Sequence, residues 1–347
     1  ERLAGPDGAL IRGAHWRNFM VKYAEANRMH KKMTALSALC RAAGDPPEAR
    51  RAIGRAQCND AYWHGVFGGL YLPHLRDHLW YELALAEGIL RAGEAPAWEV
   101  LDIDCDGHEE LWIHDATFSA ILSPVRGGVI EEYSVFAHRI NYANTLTRRR
   151  EAYHEVSAEG GPRVSHHDAA GAPSMYDLED LMRRNELPPI DAEPRVLIRE
   201  RILGPEVEEA IYARGDYDAP WSVSGARLEM DVVREQNGVG VSFRSVVAGV
   251  NVFDKTYHFI TGGRLVAEYR WNPAGIGGDG IFAPEVSYNG PMEITCEPAT
   301  PVWSYNIVTV AKSEKDFDTT IQGRSVTPLW PASTGTARIE LCTSGRS

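Results

Sequence analysis

The hydrophobic pattern of this chain changes its period once, at Gly93-Glu94-Ala95-Pro96, and this change limits the possible folds more than any other feature. Before it, apolar residues recur at helical spacing, in one stripe of Met29, Met33, Leu36 and Cys40 and a second of Leu75, Leu79, Leu83, Ala86 and Leu90. After it, alternating apolar residues and turn residues predict strands. The pattern therefore predicts an α+β fold, with a small N-terminal helical bundle domain at 1–94 and a large antiparallel β-sandwich domain at 95–347.

Local signals give the expected elements in more detail. The helical pattern predicts helices at about 14–40, 47–56 and 73–91, the last one opened by a proline in its first turn. Asn237-Gly238 and Gly262-Gly263 each separate two strand-like runs and predict hairpins. Residues 144–154, with three consecutive arginines, are interpreted as a helical segment. The Gly-, Pro- and Ala-rich stretch around 155–194 is interpreted as a loop insertion in the sandwich.

Charge and cysteine content exclude several classes of partner. The net charge is −12 over 347 residues, which argues against nucleic acid and an anionic membrane surface, since phosphate binding needs a basic surface. No apolar run is long enough to span a bilayer. The five cysteines are scattered without C-x-x-C spacing, and they predict free thiols in a reducing cytoplasm. The composition is compatible with neutral or cationic ligands and with a homo-oligomer.

The densest chemistry lies in the stretch 57–76. Asp60 can hydrogen-bond, Trp63 offers a flat apolar face, and His64 can donate or accept a proton near neutral pH. Three glycines and a proline follow and permit close backbone approaches. Together these residues predict one wall of a ring-lined polar pocket for a sugar, with Asp60, Trp63 and His64 as substrate-binding residues. A buried core indole and a structural histidine are the alternative interpretations.

A second signal is the acidic run Asp102-Ile103-Asp104-Cys105-Asp106-Gly107. Carboxylates at alternate positions followed by glycine form a loop that folds oxygen atoms around a hard cation such as Ca²⁺. An EF-hand would need glutamate where Ile113 stands, so we predict a shorter structural Ca²⁺ loop with Asp102, Asp104, Asp106 and Glu110 as ligands. The alternative is an acidic hairpin turn, although three crowded carboxylates would repel one another without a cation.

Three runs of residues resemble a known family. Residues 56–76 resemble the last conserved region of glycoside hydrolase family 57, in its 4-α-glucanotransferase and α-amylase-like branch. Residues 19–33 resemble the helix that precedes this region, and residues 145–154 resemble a run in the family's C-terminal sandwich. In that family an incomplete β/α barrel with a glutamate nucleophile and an aspartate acid/base comes first, followed by a helical bundle and a sandwich. The resemblance implies that this sequence is the C-terminal part, beginning within the bundle.

The resemblance also implies roles for particular residues. By motif position, Asp60 and Trp63 correspond to residues that line sugar subsites, with Trp63 as a stacking platform and His64 beside them. The implied partners are an α-glucan or maltooligosaccharide and an upstream catalytic barrel. No catalytic carboxylate can be assigned to this sequence, because none of the matching positions lies in it.

Two functional hypotheses follow. Retaining glycosidases need two carboxyl groups about 5 to 5.5 Å apart. The adjacent pair Glu131 and Glu132 should point to opposite faces of a strand, so it should not provide them. The first hypothesis is therefore that the chain is the C-terminal portion of an α-glucan-acting 4-α-glucanotransferase or α-amylase. This portion is inactive alone; in the whole enzyme it completes a sugar-binding cleft and supports the barrel. The alternative is a stand-alone carbohydrate-binding or scaffolding protein without catalysis.

Overall fold

Helices form the first part of the chain. The computed structural model describes residues 15–64, 68–154, 188–226, 228–247, 249–276, 279–312 and 317–346. The four helices of the first part are α1 (His15–Lys22), α2 (Ala24–Ala42), α3 (Pro47–Arg55) and α4 (Pro73–Leu90). A fifth helix, α5 (Glu209–Arg214), lies among the strands. No helix of the described ranges is long and apolar enough to cross a membrane.

Strands dominate from residue 97 onward. They are β1 (Ala97–Leu101), β2 (Glu110–His114), β3 (Phe118–Ser123), β4 (Val129–Val135), β5 (Ile140–Asn141), β6 (Ile198–Arg199), β7 (Arg201–Leu203), β8 (Trp221–Ser222), β9 (Glu229–Glu235), β10 (Gly238–Val247), β11 (Val250–Ile260), β12 (Arg264–Trp271), β13 (Ile281–Phe282), β14 (Glu285–Tyr288), β15 (Met292–Glu297), β16 (Val302–Lys312), β17 (Phe317–Pro328), β18 (Trp330–Pro331) and β19 (Thr336–Thr343). They form a five-stranded sheet β1-β2-β3-β4-β5, a six-stranded sheet β15-β19-β12-β11-β10-β9, and two four-stranded sheets, β18-β13-β7-β8 and β16-β17-β14-β6. Every described strand pair is antiparallel.

The five-stranded sheet is covered on both faces. All of β2 is buried, and alternate residues belong to different cores: Leu111 and Ile113 pack in the core between the sheets, and Trp112 packs with the helices. On the sandwich side, the rings of Phe118 and Phe259 stack with centroids 6.0 Å apart. Because side chains alternate along a strand, one sheet can serve two hydrophobic cores. The helices, the five-stranded sheet and the six-stranded sheet therefore lie as three successive layers.

A buried ion cluster joins the helical layer to the sheet. The Nζ of Lys32 on α2 lies 2.8 Å from a carboxylate oxygen of Glu87 on α4 and 3.0 Å from one of Glu132 on β4. It also donates to the Oγ of Ser119 at 2.9 Å and sits over the Trp112 ring. All these groups are excluded from water, so each depends on its partners for charge compensation.

The predicted α+β architecture, a small helical region followed by antiparallel sheets, is confirmed. Both hairpins form, with β9 paired to β10 and β11 paired to β12. The predicted first helix is broken at Tyr23, which leaves the helical conformation at φ −114° and ψ 84°. The division into domains at residues 94 and 95 stays a prediction.

The helix predicted at 144–154 is wrong. Residues 144–151 carry no helix or strand, and only Ala152–His154 form one 3₁₀ turn. The backbone N–H and the hydroxyl of Thr147 both donate to Glu25 on α2, so contacts with another element replace hydrogen bonds within a helix. Of the insertion predicted at 155–194, residues 155–187 lie outside the described residues, and 188–194 carry no helix or strand.

Candidate functional site

Residues 56–64 and 68–72, between α3 and α4, fold as a tight double turn. Asn59–Tyr62 and Gly69–Tyr71 are single 3₁₀ turns, and the backbone N–H of Leu70 donates to the carbonyl of Trp63 at 2.7 Å. Gly69 has a φ of +52°, and a Cβ at this position would lie 2.1 Å from the Trp63 carbonyl oxygen. Only glycine allows this close approach, so the sequence fixes where the turn closes.

The turn presents two of the three predicted sugar-binding residues to solvent. Ala61 and Tyr62 are buried, and the Tyr62 hydroxyl donates to the Ala56 carbonyl at 2.7 Å. Asp60 is exposed, and Trp63 keeps 46% of its surface exposed. The buried Ala61 and Tyr62 hold the backbone of the turn in place. Asp60 and Trp63 are therefore both accessible to a ligand at this turn.

His64 has a different environment. It is half-buried, with Nδ1 3.2 Å from the Gly68 carbonyl oxygen and Nε2 3.0 Å from the Tyr153 hydroxyl. A carbonyl can only accept, so Nδ1 carries the proton. Burial lowers the pKa of His64, which favours the neutral ring, and Nε2 then accepts from Tyr153. Both ring nitrogens are engaged by the protein itself, so His64 holds the turn rather than offering a free donor.

Sequence reasoning missed a buried carboxylate beneath this turn. Glu151 accepts from the Tyr23 hydroxyl at 2.6 Å and from the Tyr71 hydroxyl at 2.8 Å through Oε1, and from Lys22 at 2.5 Å through Oε2. Burial alone would raise the pKa of Glu151, but the hydrogen bonds from Lys22, Tyr23 and Tyr71 outweigh burial and lower it. The signal in the sequence is the dense polar segment 144–154, which the local pattern predicts as a helix.

The same run is fixed to α2 by a second buried carboxylate. Glu25 accepts from the guanidinium of Arg149 at 2.7 Å and from the Thr147 hydroxyl at 2.5 Å. Burial opposes the charged form, but Arg149 and Arg28 prevail and lower the pKa of Glu25 to about 2. The helical layer and the run 145–154 are thus joined by ionised groups.

The predicted metal loop folds with its three aspartates together. Oxygen atoms of Asp102, Asp104 and Asp106 lie within 4.8 Å of one another, and backbone N–H groups at Asp106 and Gly107 donate to Asp102. The Arg126 guanidinium lies 2.9 Å from Asp106 and 3.6 Å from Asp104, so a protein cation already compensates part of the charge. The prediction that this loop holds a metal ion stays a prediction.

Glu110, the fourth predicted ligand, is not brought to the same point. Its Oε2 accepts from the backbone N–H of Ile103 at 3.1 Å, and its Oε1 is buried with no hydrogen-bond partner among the described residues. Burial and the nearby charges of Asp104, Glu131 and Asp106 raise the pKa of Glu110 to about 7. A raised pKa is expected for a buried carboxylate when other carboxylates lie near it and no cation is close.

Comparison with known proteins defines the class to which this fold and site belong. Residues 14–90 match the family model described as alpha-amylase/4-alpha-glucanotransferase, middle domain. Residues 102–290 and 287–341 match the model described as alpha-amylase/4-alpha-glucanotransferase, C-terminal. The chain belongs to the alpha-amylase/4-alpha-glucanotransferase family, and the resemblance noted in the sequence is confirmed.

Individual relatives agree with this assignment. The 4-alpha-glucanotransferase of Thermococcus kodakarensis is 34% identical over 348 residues, covering 93% of this chain and 51% of the relative. The alpha-amylase of Pyrococcus furiosus is 32% identical over 91% of this chain and 49% of the relative. The crystal structure of 4-alpha-glucanotransferase from Thermococcus litoralis matches with a TM-score of 0.73 and 28% identity, over 95% of this chain and 51% of that one. The chain thus spans about half the length of the curated relatives it matches and corresponds to their C-terminal portion.

Proposed function

We propose that this chain is the part of an α-glucan-acting 4-α-glucanotransferase or α-amylase that completes the sugar-binding cleft and supports a catalytic barrel. The observation that carries the proposal is that Asp60 and the Trp63 indole are both exposed on a short turn whose Ala61 and Tyr62 side chains are buried. An exposed aromatic ring and a carboxylate on one turn suit a sugar, because the ring packs on the apolar face and the carboxylate accepts from hydroxyl groups. His64 acts by holding this turn.

The relatives favour an enzyme over a stand-alone binding or scaffolding protein, since those compared are named as glucanotransferases or amylases. The state of several carboxylates in this chain agrees with binding by this chain and catalysis by the barrel. Glu25, Glu131, Glu132 and Glu151 are each paired with a cation. The proposed nucleophile and acid/base therefore come from the barrel, and this chain contributes binding. The five free thiols support a cytoplasmic location.

The test is disproportionation of maltoheptaose by the full-length natural protein. We expect turnover, and we expect Trp63→Ala to lower kcat/KM by up to about tenfold, the effect of losing one aromatic contact of roughly 1.4 kcal/mol. Tyr81→Ala, which removes an aromatic side chain 37% exposed on α4, is the matched control and should leave kcat/KM unchanged. A folded full-length protein without turnover on any maltooligosaccharide would count decisively against the proposal.

We also propose that the loop of Asp102, Asp104 and Asp106 holds a structural Ca²⁺. Its support is the convergence of three carboxylates whose remaining lone pairs are hard oxygen donors. EDTA should lower the melting temperature and added CaCl₂ should restore it, since a ligand at 100 times its Kd stabilises by about 2.7 kcal/mol. Asp102→Asn should abolish the response to CaCl₂. A melting temperature that is the same in EDTA and CaCl₂ would leave Arg126 as the cation of this loop.

A further inference from the structure

A groove lies beside the Trp63 turn, between the first two helices and the aspartate loop. It has a volume of about 570 Å³, within the usual range for small-molecule sites. Its lining includes Trp16 and Met20 of α1, His30 of α2, and Asp104 and Arg126. The groove shares Asp104 and Asp106 with the proposed Ca²⁺ loop, whereas Trp16, Arg17 and Met20 have no role in the function proposed above.

An exposed indole lies at this groove. Trp16 keeps 45% of its surface exposed, close to the value for Trp63. One edge of the ring is fixed by His30, whose centroid lies 5.7 Å away at an interplanar angle of 76°. The Nδ1 of His30 is buried and has no hydrogen-bond partner among the described residues.

Aromatic rings connect the groove with the Trp63 turn. His30 packs against Trp16 on one side and against Tyr62 on the other, the second pair also with centroids 5.7 Å apart. Tyr62 is the residue before Trp63 in the same turn. Ring contacts therefore run from Trp16 through His30 to Tyr62, which is the neighbour of Trp63 in the chain.

The charges of the lining favour a polyhydroxylated ligand over a protein segment. Arg17, Lys31, Asp104, Asp106 and Arg126 bring both signs of charge around the single large ring. The buried centre of a protein–protein interface is depleted of charged residues. Carboxylates and guanidinium groups beside an aromatic face can instead accept from and donate to sugar hydroxyls.

We propose that this groove is a second α-glucan-binding site, in which Trp16 stacks on a sugar unit of a chain that also contacts Trp63. The proposal rests on the proposed function, because it extends the same glucan along the helical layer. A long glucan reaches both indoles, whereas a short one occupies the Trp63 site alone.

The test is affinity electrophoresis of the full-length protein in gels containing soluble starch, with maltotriose as competitor. We expect Trp16→Ala to weaken retardation by starch by about two- to tenfold and to leave the maltotriose concentration needed for competition unchanged. Trp16→Phe, which keeps a ring, should restore most of the affinity. Tyr81→Ala should bind starch as the wild type does. Trp63→Ala should weaken both starch binding and the effect of maltotriose.

The outcomes separate the two proposals. If Trp63→Ala weakens starch binding and Trp16→Ala does not, the second site is wrong and the proposed function stands. If starch retards neither the wild type nor any variant, both proposals fail. If Trp16→Ala lowers the melting temperature and leaves starch binding unchanged, the groove is a contact within the protein and the second site is again overturned.

Discussion

Glu131 and Glu132 follow each other in β4, and both carboxylates reach α2. Glu131 bonds to Arg28 at 3.0 Å and Glu132 to Lys32 at 3.0 Å. The sequence-based expectation that these neighbours face opposite sides of the sheet is wrong. The register of β3 and β4 shifts at this position, so an extra residue is inserted and the strict alternation is lost. Each of the two carboxylates thus forms an ion pair between the sheet and α2.

Individual carboxylates also determine how stability depends on pH. The pKa of Glu25 falls from 4.5 to about 2 in the folded protein. A carboxylate whose pKa is lowered on folding stabilises the protein above its unfolded pKa, and this contribution disappears as pH falls through the folded value. Glu25 thus contributes about 3 kcal/mol near neutral pH, and that contribution is lost between about pH 4.5 and pH 2.

Glu25→Gln should therefore lower the free energy of unfolding at pH 6 by roughly this amount, and the difference from the wild type should narrow at pH 3. The measurement is urea unfolding at both pH values. Asp216→Asn, which removes an exposed carboxylate, is a control that should show a small difference at either pH. A difference between Glu25→Gln and wild type that does not change with pH would contradict the assigned ionisation.

At the scale of elements, the double turn between α3 and α4 decides whether the candidate site exists at all. Its two 3₁₀ turns close on the Trp63 carbonyl, and His64 and Tyr71 connect it to the run 145–154. The turn is thus supported by an element about 80 residues away in sequence, in the Tyr71–Glu151 pair. Its geometry depends on one glycine and one buried carboxylate.

Gly69→Ala should destabilise the protein by about 1–3 kcal/mol and weaken sugar binding, because the new Cβ would collide with the Trp63 carbonyl at a φ of +52°. Gly54→Ala is the matched control. Gly54 lies within α3 with open space around it, and alanine there should stabilise by up to about 1 kcal/mol. Thermal melting and starch retardation measure the two effects. If Gly69→Ala had the same melting temperature and the same starch retardation as Gly54→Ala, the turn would tolerate a side chain at residue 69.

At the scale of the whole molecule, the helices and sheets share their cores. Trp112 and Ile121 of the five-stranded sheet pack with the helices, and the guanidinium of Arg76 on α4 donates to Gln322 on β17 at 2.7 Å. Lys32, Glu87 and Glu132 form the buried ion cluster between the layers. The helical layer is therefore expected to unfold together with the sheet that it covers.

Lys32→Met should destabilise the protein by about 3–5 kcal/mol, because Glu87 and Glu132 would lose their shared cation in a buried site. Adding Glu132→Gln should recover part of this loss by removing one unpaired charge. Far- and near-ultraviolet circular dichroism during urea unfolding provide the measurement. Two separate transitions in the wild type would contradict a shared cooperative unit.

The sequence by itself determined the succession of a helical region and antiparallel sheets and the hairpins, and it pointed to the stretch that carries the candidate site. Hydrophobic period separates helices from strands, and Asn-Gly and Gly-Gly pairs position turns through local backbone preferences. Asp60 and Trp63 were recognisable because polar and aromatic side chains are dense in this short, glycine-containing stretch. The same local rules brought the three aspartates of the acidic loop together.

Only the tertiary structure decided what depends on distant contacts. The run 145–154 has the residues of a helix, but its side chains bond to Glu25 and its Glu151 accepts from Tyr23 and Tyr71. His64 became a support rather than a free donor because Tyr153 reaches it across 89 positions of sequence. Local propensity differs by less than about 1 kcal/mol per residue for most residue types, so a few buried charged hydrogen bonds outweigh it.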